Sequence, residues 1–301
     1  MFIQRIVTIL QGVIMGIVET IPGVSASTMA LIMGIYEHFI EFLHAISDVF
    51  KSILLFIARK ASLRDISSTI KEINLKFGGF LVVGMLIGLG VFSHIMSFML
   101  EYFRSHTFAF FFGLILASII VPLKQIEKPR NKDWLVFILS AFVFFFFFGL
   151  NPPAALENPS RLLLFIGGYF SVCAMVLPGV SGSFVLLLFG LYDYAIGLIK
   201  GASGLTLLEL DLVLDLVILA LGLILGFGTF VRVLKKALQN YKPLLMALLA
   251  GLMVGSLRIL IPFTGAETTS EALILGGILI ITAVATFFLN KKSSNNIAAD
   301  L

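Results

Sequence analysis

Four serines, set in two near-copies of one motif, are the residues best suited to chemistry. The stretch "PGVSAS" at 22–27 holds Ser25 and Ser27, and "PGVSGS" at 178–183 holds Ser181 and Ser183. Each motif interrupts a strongly apolar stretch and is followed by an apolar run with helical spacing. Proline lacks an N–H and presets φ, while glycine accepts a sharp turn, so each motif predicts a break between two helices. A serine just after the break can cap the helix that follows. The free N–H groups and positive dipole end there favour an anion, phosphate above all. Two such ends supply together about one positive charge equivalent. Gly23, Ser25, Ser27, Gly179, Ser181 and Ser183 are therefore the candidate anion-binding residues. The plainer alternative is that the serines only cap helices and let them pack closely. A serine-hydrolase reading fails, since G-x-S-x-G needs glycine where Ser183 stands, and Ala26 and Thr28 flank Ser27 in the first copy.

Glu19 lies three residues before the first turn, on the helix that carries Gly12 and Gly16. A carboxylate at that depth costs about 3 kcal/mol, so it is usually interior and functional. It could titrate and couple transport to protons, or it could hydrogen-bond the turn, and both readings stay open. Its equivalent in the second copy is Met175. Arg258, near the outer end of its span, is the best-placed cation for a phosphate, with Arg104 and Arg161 as rivals. Any of the three could instead be an ordinary interfacial arginine that snorkels. Tyr36/Tyr192 and Glu37/Asp193 repeat after Gly34/Gly190 and read as interfacial anchors. The single Cys173 excludes an intramolecular disulfide framework, and no Cys/His cluster suggests a structural metal. No cofactor is expected.

These residues sit in a chain that needs a membrane to position them. Of its 301 residues, 59% are hydrophobic and 13% charged. A soluble domain carries about a quarter charged residues, so this one cannot cover itself with a polar surface. Several runs approach the ~20 apolar residues that cross a bilayer. The pI near 9.2 reflects Lys and Arg that set topology rather than a nucleic-acid partner, because no basic cluster is interleaved with aromatics. Ser25-Ala26-Ser27 resembles a signal-peptide cleavage site, but its recurrence as Ser181-Gly182-Ser183 marks architecture instead.

The chain reads as a duplicated unit. Residues 22–36 and 178–192 share 8 identities in 15 positions at an offset of 156. Farther on, Gly84/Gly222, Gly88/Gly226, Ala109/Ala247, Gly113/Gly251 and Ser118/Ser256 match at an offset of 138. Each half predicts a Pro-Gly-broken helical pair and three apolar spans: 6–21 with 25–46, 77–100, 106–122 and 134–150, then 162–177 with 181–199, 211–231, 243–261 and 271–290. A broken pair returns to its starting side, and three crossings then invert the second half. Short, interrupted segments at matching positions favour re-entrant hairpins whose tips lie near the midplane. The fold class expected is thus an all-α polytopic membrane protein of two inverted-topology repeats. The units are 1–150, with an amphipathic cytoplasmic connector at 47–76; an outer linker at 151–160; 161–292; and a cytoplasmic tail at 293–301. With both termini inside, 17 of the 21 Lys and Arg face the cytoplasm, as the positive-inside rule requires.

Twin "PGVSAS" and "PGVSGS" motifs in an inverted repeat of this length resemble the bacterial undecaprenyl-phosphate translocase family. The resemblance runs from Arg5 to about Leu289. It implies a flippase of the cytoplasmic membrane that returns undecaprenyl phosphate, a polyprenyl-phosphate lipid, from the outer to the inner leaflet for envelope polymer synthesis. The residues alone reach a membrane carrier with an anion site. A carrier or channel for a small soluble anion would need a closed aqueous route. A membrane enzyme on lipid phosphates would need a catalytic His, metal-binding acids or a nucleophile pair, and the sequence offers no such constellation.

Overall fold

The computed structural model describes residues 2–19, 21, 24–60, 62–203, 210–262 and 268–299, and its elements are all α-helices. In chain order they are α1 (Phe2–Val18), α2 (Ala26–Ile32), α3 (Tyr36–Ile57), α4 (Leu63–Glu72), α5 (Leu75–Tyr102), α6 (Arg104–Ser118), α7 (Ile120–Lys124), α8 (Asn131–Phe147), α9 (Arg161–Val176), α10 (Gly182–Leu188), α11 (Tyr192–Ser203), α12 (Leu210–Asn240), α13 (Lys242–Ser256) and α14 (Thr269–Ala299). Among the described residues four stretches are long and apolar enough to cross a bilayer: Leu75–Tyr102, Arg104–Lys124, Leu210–Asn240 and Thr269–Phe288. Their outer faces expose Leu86, Val91, Val217, Ile280 and Ile281, apolar surface that lipid can cover. The chain is an all-α, multi-pass membrane protein.

The helices meet in close pairs, and glycine permits them. The main interfaces join α1 to α5, α9 to α12, α8 to α13 and α6 to α14. A Cβ at Gly12 or Gly16 would run into the carbonyls of Leu81 or Met85 on α5, and one at Gly84 or Gly88 into those of Ile9 or Val13 on α1. Gly222 and Gly226 on α12 approach the Phe165 and Tyr169 carbonyls of α9 in the same way. Lipid tails give helices no hydrophobic reason to associate, so backbone proximity at small residues supplies the packing. Met15, Ile21, Leu31, Leu81, Met246 and Leu252 are fully buried, in one core that also holds Val24 and Val180 of the two motifs.

The helices expected at 25–46 and 181–199 are each divided. Gly34 and Gly190 take φ of 73° and 68°, the left-handed region that a side chain resists. Ile35 N–H bonds the Ala30 carbonyl and Gly34 N–H the Leu31 carbonyl, and Leu191 and Gly190 repeat the pattern on Leu186 and Leu187. These are Schellman stops, which end α2 and α10 after seven residues each. The span expected at 106–122 breaks at Ile119, because Pro122 has no N–H to continue the ladder. Of the 47–76 connector, 47–57 belongs to α3, and only α4 is a separate helix, begun by a Ser62/Asp65 capping box. Residues 293–299 continue α14.

Candidate functional site

The two motifs meet inside the bundle. Helix α1 ends at Val18 and the first turn leads to Ser25, the N-cap of α2. Ser25 Oγ accepts from Thr28 N–H at 3.3 Å and donates to the Leu177 carbonyl at 3.3 Å. Ser27 Oγ donates to the Met175 carbonyl at 2.7 Å. In the other direction, Gly179 N–H donates to Thr28 Oγ1 at 2.8 Å. Tyr36, only 2% exposed, donates its hydroxyl to the Val176 carbonyl at 3.2 Å. The last turn of α9 leaves carbonyls without intrahelical partners, and the hydroxyls of the first hairpin fill that need. Ser25, Ser27 and Thr28 are fully buried and fully engaged in this lock.

The second motif is built differently. Gly179 holds φ at 85°, and Ser181, the N-cap of α10, makes no side-chain cap bond. Its hydroxyl pairs instead with Ser183 Oγ at 2.6 Å, and Ser183 is exposed. Ser171 Oγ on α9 bonds the Gly182 carbonyl at 2.9 Å and holds the turn closed. One serine pair is therefore spent on backbone, while in the other Ser181 is half-buried and Ser183 is exposed. Gly23, the remaining candidate of the first motif, lies outside the described residues, as does Pro22.

Glu19 stands at the end of α1, half-buried, and its Oε2 accepts the Ala26 N–H at 2.8 Å. The carboxylate thereby serves an orphan donor in the first turn of α2. Arg258 follows α13, and its guanidinium lies over the Phe145 ring at 4.7 Å from the centroid. It occupies the space that Gly149 leaves open. Arg104, the first residue of α6, lies over Phe108 at 5.3 Å. Arg258 and Arg104 line one cavity of about 540 Å³. Arg161 is committed elsewhere, to Asp211 at 2.6 Å and Asp215 at 3.0 Å, with Tyr194 donating to Asp215 at 2.6 Å.

The last turn of α13 is close to the second motif turn. A Cβ placed on Gly179 would lie 3.2 Å from Ser256 Oγ, two residues before Arg258. Phe184, just after the motif, packs on Phe148 at 5.3 Å between centroids. The second turn therefore touches α13 through Gly179 and the end of α8 through Phe184, while Arg258 lies at Phe145 and Gly149 at that same end of α8. Among the described residues no cluster of three or more His, Cys, Asp or Glu could hold a metal.

Sequence reasoning missed two members of the lock. Tyr36, an interfacial anchor by its sequence position, is a buried hydrogen-bond donor, and Thr28 accepts from Gly179 N–H, a role that no local pattern signals. The signal for Tyr36 was present in Gly34: a helix stop there returns the next helix to the interior instead of letting it run on to an interface.

Fold and site together define a multi-pass α-helical membrane protein built around two internal helix breaks. The chain belongs to the undecaprenyl phosphate translocase-like family (VCA0040-like), whose profile matches residues 15–274. It is 32% identical over 250 residues to a polyprenyl-phosphate transporter of Vibrio cholerae, covering 83% of this chain and 75% of that protein. A polyprenyl-phosphate transporter of Staphylococcus aureus is 28% identical over 192 residues, covering 60% of this chain and 67% of that one. No solved structure matches the chain.

Proposed function

We propose that this protein is a flippase that moves a polyprenyl phosphate, undecaprenyl phosphate foremost, from the outer to the inner leaflet of the bacterial cytoplasmic membrane. Family membership supplies the lipid class and places the chain among transporters rather than enzymes. The observation that carries the mechanism is the meeting of two broken helices in the interior, where Gly179 N–H reaches Thr28. Broken backbone within a membrane is tolerated where it is buried in protein or lines a polar cavity. A lipid phosphate needs a polar path only for its head, since the tail can stay in lipid.

Two inverted repeats fit the packing. By the offsets of 156 and 138, the α1–α5 pair corresponds to α9–α12, and α6–α14 to α13–α8, so each main interface has its mate. Re-entrant hairpins fit as well. The Gly190 carbonyl at the end of α10 accepts Leu156 N–H at 2.9 Å, and Leu156 belongs to the linker from which α9 departs. Helix α9 thus enters from the side to which α10 returns. The proposed units are 1–150, the 151–160 linker, 161–292 and the 293–301 tail. The charge split favours cytoplasmic termini.

In this reading Ser181 and Ser183 bind the phosphate in the conformation described here, with Gly179 and Arg258 beside them. Gly23, Ser25 and Ser27 take that role when the halves exchange roles, and the carbonyl lock passes to the second serine pair. Glu19 carries the coupling proton. Replacing Ser181 and Ser183 with Ala should slow leaflet exchange at least about tenfold, the low end of the worth of one lost hydrogen bond to a charged group, and leave thermal stability unchanged. Replacing Ser25 and Ser27 should lower both, because two carbonyls lose their donors. Exchange at the wild-type rate in the Ser181/Ser183 variant would place the phosphate elsewhere.

A further inference from the structure

The cavity beside the start of α6 is built for an anion. Among the described residues its lining is Arg104, Ser105 and Phe108 with Arg258, Ile259, Ile261 and Pro262, two guanidinium groups and no carboxylate. Among the described residues neither arginine has an ion-pair partner, whereas Arg161 has two. Each guanidinium lies over a ring, Arg104 over Phe108 at 5.3 Å and Arg258 over Phe145 at 4.7 Å, a cation–π contact that does not itself consume an N–H donor. The first N–H groups of α6 also lack intrahelical partners. Two like charges in one cavity repel unless an anion lies between them. The remaining walls, Phe108, Ile259, Ile261 and Pro262, are apolar.

We infer that this cavity is the outer docking site for a phosphate monoester borne on a hydrocarbon chain, held by bidentate bonds from Arg104 and Arg258. The assignment rests on the transport reading above and adds to it the place where the head group first leaves the membrane surface. The second motif turn, touching Ser256, is the next polar ground.

Binding of farnesyl phosphate to the purified protein tests this, with farnesol and inorganic phosphate as the other probes. Arg104→Gln and Arg258→Gln should each weaken farnesyl phosphate about tenfold, the loss of one charge-assisted contact. An Arg104→Lys/Arg258→Lys variant should keep charge and recover part of the affinity, which separates a binding role from a folding one. Farnesol should bind weakly and inorganic phosphate should compete poorly. Wild-type affinity in a folded Arg104→Gln/Arg258→Gln variant would overturn the site, while wild-type leaflet exchange in the parent protein would leave the transport reading standing. Inorganic phosphate competing as well as farnesyl phosphate would overturn the assignment to a lipid head.

At the opposite side of the bundle, Lys242 Nζ holds Glu37 Oε1 at 2.6 Å and ties the start of α13 to the start of α3. By the repeat offsets, Arg104 is the equivalent of Lys242, and Asp193 that of Glu37. Asp193 is exposed, and among the described residues it has no ion-pair partner. A cavity of about 180 Å³ lies at Glu37 and includes Met246, the equivalent of Phe108. One end is latched over a small cavity, and the other is open over a large one.

The repeat relation points to Arg104 and Asp193 as the matching outer latch, closed when Glu37 and Lys242 part. Phosphate on Arg104 then competes with Asp193 and holds the outer side open. In a Cys173→Ala background, the Glu37→Cys/Lys242→Cys pair and the Arg104→Cys/Asp193→Cys pair should each be bridged by a short bismaleimide. With Arg104 intact, farnesyl phosphate should raise bridging of the first pair about fivefold, the low end of allosteric coupling. Asp193→Asn should do the same without ligand. An Arg104/Asp193 pair that never bridges, both bridges in one molecule, or a first pair indifferent to farnesyl phosphate and to Asp193→Asn would overturn the latch.

Discussion

A carboxylate that caps a buried turn can also carry a proton, and Glu19 is placed for both. Its Oε2 accepts the Ala26 N–H, and a glutamine oxygen can accept the same bond without the charge. Glu19→Gln should therefore fold and bind lipid phosphate, yet lose the response of leaflet exchange to a pH gradient. Glu19→Ala loses the acceptor as well and should be less stable by about 1 kcal/mol, as for a lost cap. A Gln variant with the wild-type pH response would leave Glu19 as a brace for the turn. Tyr36 makes a cleaner structural contrast with its equivalent. Tyr36→Phe removes a buried bond to the Val176 carbonyl and should cost about 1 kcal/mol in thermal unfolding. Tyr192 is only half-buried, and Tyr192→Phe should change little.

At the scale of the element, glycine decides how near the helices come. Gly84→Ala would drive a methyl into the Ile9 carbonyl of α1, while Gly276→Ala on α14 would meet open space. The first should destabilise by about 1–3 kcal/mol, as overpacking does. The second should be neutral or stabilising by up to about 1 kcal/mol, from helix propensity. Melting of both variants in detergent tests the pair. Helix α4 depends on its cap: the Ser62 backbone and side chain hold the Asp65 carboxyl below the ordinary carboxylate range. A depressed pKa contributes stability above the unfolded value and loses it as pH falls through the folded one. Helix α4 should accordingly loosen only in acid, below about pH 4, and Asp65→Asn should loosen it at neutral pH. Hydrogen exchange across 62–72 distinguishes these outcomes.

The long spans were legible in the sequence because lipid demands unbroken apolar runs, and α5 and α12 lie where hydropathy puts them. The divisions at Gly34 and Gly190 were legible only in part, since a glycine in an apolar helix serves packing or a stop equally well. The lock between the motifs was not legible, because Tyr36 and Val176 are 140 residues apart and no local pattern pairs them. Arg161 is a rival to Arg258 in the sequence, and only the fold sets Asp211 and Asp215 beside it.

For the whole molecule, the proposed inverted arrangement would put the 151–160 linker outside. A cysteine at Ala154, which is exposed, should react with an impermeant thiol reagent on intact cells, while the native Cys173 is buried. Labelling only after permeabilisation would contradict the arrangement. Transport itself is tested most directly in liposomes. The protein, reconstituted with a polyprenyl phosphate confined to one leaflet, should speed its appearance in the other leaflet, with the rate set by a pH gradient. The corresponding polyprenol, which lacks the phosphate, should gain nothing from the protein. Exchange no faster than in protein-free liposomes, for a monodisperse and correctly folded sample, would contradict the account.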